Sequence, residues 1–177
     1  MKRIVPNSAS EKRIFILSGI AALLLLVIDQ ATKLWVVRSF ELNERVDLIP
    51  GLFSFTYVRN YGAAWSILSG HVWLLIAISL VTAAAMVYFF RKLAEGCVER
   101  YYALMLVYSG LVGNLIDRAL SGSVVDFLDV HWKNVWQYPV FNVADMAICC
   151  GVFIYLISSF CRKSLKETGK NDNCVSK

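Results

Sequence analysis

"VFNVADMAICCGVFIYLISSF", residues 140–160, sets fifteen uncharged residues behind Asp145 and places an amide, Asn142, just ahead of it. Crossing a hydrocarbon core of about 30 Å at 1.5 Å per residue takes about 20 residues. The uncharged run falls short of that, so a helix built on it must take Asp145 and its flank into the membrane. An ionisable side chain inside a span costs about 2.5 to 3.5 kcal/mol at the centre and less toward the ends, and it faces a bundle interior or a wet cavity. The carboxylate at 145 therefore needs a chemical reason.

The same shortage recurs along the chain. Apolar segments centre on Ile14 to Ile28, Trp65 to Phe90, Tyr101 to Ile116 and Met146 to Cys161, and the first, third and fourth hold 15, 16 and 16 uncharged residues. With 58% hydrophobic and 18% charged residues and a mean hydropathy of +0.57, the chain has too little polar surface for a soluble domain. The expected fold is an all-α membrane protein with four transmembrane helices. Residues 1–163 form one domain in this reading, and 164–177 form a polar cytoplasmic tail.

Orientation follows from the basic residues, which are retained on the cytoplasmic side. Twelve of the eighteen lie at the N-terminus (Lys2, Arg3, Lys12, Arg13), in the second connection (Arg91, Lys92, Arg100) and in the tail (Arg162, Lys163, Lys166, Lys170, Lys177). The other six are Lys33, Arg38, Arg45, Arg59, Arg118 and Lys133. Both termini are expected in the cytoplasm, with the two longer connections facing outward. This distribution and anionic lipid account for the net charge of +5 without nucleic acid, for which no motif is present. The first apolar run follows basic residues as a secretory signal does, but "DQATKLW" and not a small-residue cleavage site comes after it, so it reads as a retained helix. The five cysteines (Cys97, Cys149, Cys150, Cys161, Cys174) indicate no disulfide framework in the outer connections, and packing explains the adjacent pair 149–150.

In that orientation the polar residues of three helices meet at one level. Helix one ends with Asp29 and Lys33, helix three with Asn114, Asp117 and Arg118, and helix four begins with Asn142 and Asp145. The i,i+3 and i,i+4 spacings put each pair on one side of its helix. Local ion pairs at frayed ends, Asp29 with Lys33 and Asp117 with Arg118, would explain each segment alone. Convergence of three segments, with a further carboxylate at Asp126, points to a shared polar site near the outer surface.

The connections add detail. In "DLIPGLFSFTYVRNYGAAW", Phe53, Phe55 and Tyr57 alternate with Ser54, Thr56 and Val58, the period of a strand with one apolar face, so a small sheet is expected at the membrane surface. "NYGAAW" supplies Asn60 and small residues where helix two is expected to begin. "FLDVHWKNVWQYPVF" is rich in aromatics that suit an interfacial amphipathic segment, with His131 an interfacial residue, while His71 stands alone near helix two. No metal-ligand spacing, G-x-S-x-G, H-E-x-x-H or phosphate loop is present. Carboxylates and amides remain, and these can run cofactor-free hydrolysis through a shared proton or a proton or cation relay in a small transporter. A transporter is expected to show internal repeats, and none is visible.

Five blocks in order, "DQATK" (29–33), "NYGAA" (60–64), "GNLIDR" (113–118), "VVDF" (124–127) and "FNVAD" (141–145), resemble the bacterial lipoprotein signal peptidase family, signal peptidase II. The resemblance runs from Asp29 to Asp145; Ser109 stands where the family more often has Gly, which touches helix packing and not chemistry. It implies an aspartyl endopeptidase of the bacterial inner membrane, with Asp126 and Asp145 catalytic. Asp29, Lys33, Asn60, Asn114, Asp117, Arg118 and Asn142 would be its supporting and substrate-contacting residues. The implied substrate is a prolipoprotein whose cysteine carries diacylglycerol, cut just before that cysteine; the implied inhibitor is the cyclic peptide globomycin, and no cofactor is implied. A presenilin-like protease would carry G-x-G-D, which is absent.

Overall fold

The computed structural model describes residues 9–63, 67–133 and 135–167. Lys2, Arg3, Ala64, Trp65, Lys170, Cys174 and Lys177 lie outside them. Among the described residues, four long helices and four strands follow in order: α1 (Ala9–Ser39), β1 (Arg45–Ile49), β2 (Phe53–Asn60), α2 (Val72–Ala94), α3 (Val98–Ser121), β3 (Val124–Trp132), β4 (Trp136–Gln137) and α4 (Val143–Glu167). Each helix is long and apolar enough to cross a membrane. The side chains agree, because Leu23, Val27, Trp73, Val81, Phe153 and Phe160 are exposed to between 57% and 83%, a surface that only lipid or a partner could cover.

α3 is the least apolar of the four spans, and it packs against α1, α2 and α4. Its contacts are close because small residues line them. A Cβ on Gly110 would overlap the Ala144 carbonyl, and one on Gly151 of α4 would lie 2.6 Å from the Ala103 carbonyl; such approach is how membrane helices gain packing where no hydrophobic drive exists between them. Ser109 Oγ donates to the Ala22 carbonyl at 2.8 Å, tying α3 to α1. At one end of the bundle the buried Arg100 is held by Glu95 (2.8 Å), Ser158 (3.1 Å) and Ser159 (3.3 Å) over the Tyr155 ring. Nearby, Glu99 pairs with Arg162.

At the other end the strands form one antiparallel sheet in the order β1-β2-β3-β4. Tyr57, Val125 and Phe127 of the sheet bury against Val36 of α1, with Phe40 and Phe55 alongside, and Trp35, Phe40 and Phe55 meet edge to face. The expected apolar face of β2 is therefore present. Its polar alternates are not all solvated: Ser54 is fully buried and donates to Asp47 at 2.6 Å. β2 also carries a bulge, since Phe55 faces Leu128 but Val58 faces Asp126, leaving Thr56 and Tyr57 opposite the single residue Phe127.

Three expectations change. α2 begins at Val72, later than the apolar run suggests, with His71 as an N-cap that makes no side-chain capping bond. The aromatic third connection is built as the β3–β4 hairpin, and His131, expected at the interface, is 3% exposed between Asp129 and Arg45. Cys149 and Cys150 are exposed on α4, so packing within the protein does not explain them. α4 is helical through Glu167.

Candidate active site

Helix α4 starts with reciprocal hydrogen bonds between its N-cap and its third residue. Asn142 Oδ1 accepts the Asp145 N–H at 2.9 Å, and Asp145 Oδ2 accepts the Asn142 N–H at 3.2 Å, the arrangement of a capping box. Asn142 is thus the residue before the helix, not one on its face; the spacing of three is a capping spacing. A carboxylate at this place also meets the positive end of the helix dipole.

The side-chain amide of Asn142 reaches further. Its Nδ2 donates to Asp126 Oδ1 at 2.7 Å, with Asn114 Oδ1 at 3.1 Å and the Val125 carbonyl at 3.3 Å also in range. Asn114 Nδ2 donates to Asp145 Oδ1 at 2.8 Å, and Asn60 Nδ2 donates to Asp126 Oδ2 at 3.0 Å. Asn60 is aimed by its own Oδ1, which accepts the Gly62 N–H at 2.9 Å. Each carboxylate therefore receives amide donors from two residues, and one residue, Asn142, serves both.

Behind the amides lies a buried charge cluster. Lys33 Nζ sits 2.8 Å from Asp29 Oδ2 and 2.9 Å from Asp117 Oδ2, and it donates to Asn114 Oδ1 at 3.1 Å, which turns the Asn114 amide toward Asp145. Asp29 Oδ1 accepts the backbone N–H of Ala144 (2.9 Å), the residue before Asp145. Asp117 Oδ2 accepts that of Val125 (3.3 Å), the residue before Asp126. One lysine thus holds two carboxylates, each of which fixes the backbone next to another. Buried charges are tolerated when paired and hydrogen-bonded in this way. A Cβ at Gly113 would lie 2.6 Å from Asp29 Oδ2, so glycine leaves the room for this carboxylate.

Asp117 pairs with Lys33 across helices, not with Arg118 beside it in sequence. Arg118 turns the other way, its Nη2 donating to the Gly62 carbonyl at 2.9 Å, and its buried Nε has no hydrogen-bond partner among the described residues. Gln30 was not legible as a site residue, because it lies one position from Asp29 and off the shared face. Its amide nevertheless spans Asp29 (3.1 Å), Asp117 (3.1 Å) and the Gly113 carbonyl (3.3 Å).

Asp126 and Asp145 both line a cavity of about 300 Å³, walled by Asn60, Asn114, Arg118 and the segment from Tyr138 to Phe141. Burial, and next the charge of Asp145, push the Asp126 carboxyl up to about 7, against the lowering pull of the Asn60 and Asn142 amides. The protonated form of this carboxyl is therefore favoured relative to a free aspartic acid. No three His, Cys, Asp or Glu side chains among the described residues group closely enough to hold a metal ion.

Four spans around a buried cluster of carboxylates and amides define a multi-pass membrane protein built like a membrane enzyme. Two solved bacterial membrane enzymes, determined in meso at 2.3 and 1.9 Å resolution, superpose with TM-scores of 0.78 and 0.71 at 33% and 36% identity, covering 90% and 80% of this chain and 94% and 90% of theirs. The sequence also matches the model of the Signal peptidase (SPase) II family over residues 21–161. It is 52% identical over 130 residues to a lipoprotein signal peptidase of Geobacter metallireducens (72% of this chain, 80% of the relative) and 42% identical over 160 residues to one of Shewanella sediminis (87% and 90%). The chain belongs to the signal peptidase II family, a family of peptidases.

Proposed function

We propose that this protein removes the signal peptide from diacylglyceryl-modified prolipoproteins, cutting just before the lipidated cysteine, with Asp126 and Asp145 as its catalytic pair. The observation that carries the reading is Asn142, whose side chain and backbone donate to the two carboxylates from one residue (2.7 and 3.2 Å) at the wall of one cavity. Two carboxylates held together in this way share one proton. Asp126, held up near 7, carries that proton at rest. Asp145 takes a proton from water as its oxygen attacks the scissile carbonyl carbon, and Asp126 protonates the carbonyl oxygen. Collapse breaks the C–N bond, the departing cysteine amine collects a proton from Asp145, and Asp126 recovers its own from the intermediate. Asn114 and Asn60 hold the pair, and the Arg118 side chain at the cavity wall is a contact for substrate backbone.

The orientation supports the same reading. Basic residues cluster at the end opposite the site, so that end and both termini are cytoplasmic and the site opens at the outer face of the inner membrane. Two turns of the sheet meet there, with Lys133 N–H donating to the Gly51 carbonyl at 2.7 Å, and they expose Leu48, Ile49, Leu52, Trp132, Val135 and Trp136. This apolar tip rests in the lipid interface, beside substrates that arrive by their acyl chains and signal helix. Globomycin is expected to occupy the cavity and block it.

The test uses purified protein in lipid with matched prolipoproteins, lipidated and unlipidated, and mass analysis of the products. The reading requires a product that begins with the lipidated cysteine, formed from the lipidated substrate and suppressed by globomycin. Equal cleavage of the unlipidated form, or a cut elsewhere, contradicts it.

A further inference from the structure

A second buried carboxylate network lies on the sheet, away from the cavity. Asp129 of β3 is fully buried, and it gathers one partner from each of the other strands. Thr56 of β2 donates to Oδ2 at 2.8 Å, Gln137 of β4 donates at 3.1 and 3.3 Å, and Arg45 of β1 lies 3.8 Å away. His131 sits beside it, with Nδ1 3.6 Å from Oδ1 and Nε2 in contact with the Arg45 guanidinium. Ionising a carboxylate here carries a desolvation cost that a sheet-filling apolar residue would avoid.

Its place in the register gives the reason. Ser54 faces Asp129 and Val58 faces Asp126, and the β2 bulge falls between them. Thr56, whose hydroxyl Asp129 holds, is one of the two residues in that bulge. A bulge shifts which face each following side chain takes, since one residue of slip reverses the alternation. Asn60, four residues past Thr56, reaches Asp126 at 3.0 Å only in the shifted register.

We propose that Asp129 is a positioning residue for the reaction: by holding Thr56 it fixes the β2 bulge that brings Asn60 onto Asp126. This rests on the assignment of Asp126 to the catalytic pair. Thr56→Val removes the donor, and Asp129→Asn leaves one acceptor oxygen where Thr56 and Gln137 both donate and sets an NH2 against the other donor, so each loosens the clasp, while Thr56→Ser keeps the hydroxyl.

The experiment compares these three variants with Asn60→Ala in the full-length protein in lipid, following kcat and KM for a lipidated prolipoprotein across pH. Thr56→Val and Asp129→Asn should lower kcat/KM by up to about a hundredfold, the effect of misplacing a reacting group by an ångström or so. They should also move the alkaline limb of the pH profile upward, as Asn60→Ala does, because the Asn60 amide no longer favours the charged form. Combining Asp129→Asn with Asn60→Ala should add nothing further to the limb. Thr56→Ser should restore the wild-type profile, which separates positioning from loss of fold. If Thr56→Val and Asp129→Asn lower thermal stability but keep the wild-type limb and kcat while Asn60→Ala moves the limb, Asp129 is only a structural staple and the proposal is wrong. If Asn60→Ala itself leaves the limb in place, the catalytic reading of Asp126 fails first and this proposal falls with it.

Discussion

At the scale of single residues the decisive feature is the economy with which amides are shared. Asn142 caps α4, bonds Asp126 and accepts from Asp145, so its loss is not confined to one contact. Asn142→Ala should reduce kcat/KM by roughly a hundredfold or more, with KM less affected than kcat, in a steady-state assay on lipidated substrate. The upward shift of the Asp126 carboxyl sets a pH dependence whose sign follows from its direction. A carboxyl raised to about 7 keeps its proton below that pH and loses it above, so activity that needs a singly protonated pair should decline as pH rises through about 7. Asn60 donates to the ionised form and pulls the value down, so Asn60→Ala should move that decline to higher pH. A pH–rate profile of kcat/KM reads both effects, and an unmoved limb in Asn60→Ala would count against the hydrogen bond's role.

Elements bring these residues together, and here the sequence was readable in part. Asp29, Lys33, Asn114, Asp117 and Asp145 announced themselves because polar groups in or beside a short apolar run are costly, and all five meet at one end of the bundle. Partner choice was not readable. Lys33 bridging two helices in place of an Asp117–Arg118 pair depends on how closely α1 approaches α3, which Gly113 permits and periodicity does not encode. His131 and Asp129 were hidden for a similar reason: "FLDVHW" alternates weakly, and its burial comes from pairing with a bulged β2 across a long sequence gap. The bulge itself leaves no compositional mark. At the helix interface, Gly110→Ala meets a backbone carbonyl that cannot swing away, so it should destabilise the protein by about 1 to 3 kcal/mol, measured as a lowered Tm in detergent. Activity should fall with it, since Ala144 and Asp145 are displaced together. An unchanged Tm would mean that α3 and α4 are less tightly packed than described.

Across the whole molecule, the Arg100 clasp and the proposed catalytic cavity occupy opposite ends. Arg100 and Asp117 sit on the same helix, seventeen residues and therefore about 25 Å apart. The Arg100 clasp joins α3 to α4 by side chains that touch nothing in the cavity. Arg100→Met should lower Tm while leaving kcat per folded molecule near the wild-type value, and a large fall in kcat would show that the two ends are coupled. The fold class was legible from hydropathy because four apolar runs leave few alternatives. The outer sheet was legible only as a tendency, since two of its strands are short and two of its three pairings are irregular in register or join strands far apart in sequence. The most direct test of the account is single-turnover cleavage of a diacylglyceryl-modified prolipoprotein by purified wild type, Asp126→Asn and Asp145→Asn, each verified as folded by its Tm. Both variants should bind substrate, and neither should cleave it measurably. Cleavage by either variant near the wild-type rate would contradict the two-carboxylate mechanism and move the search to Asp29 or Asp117.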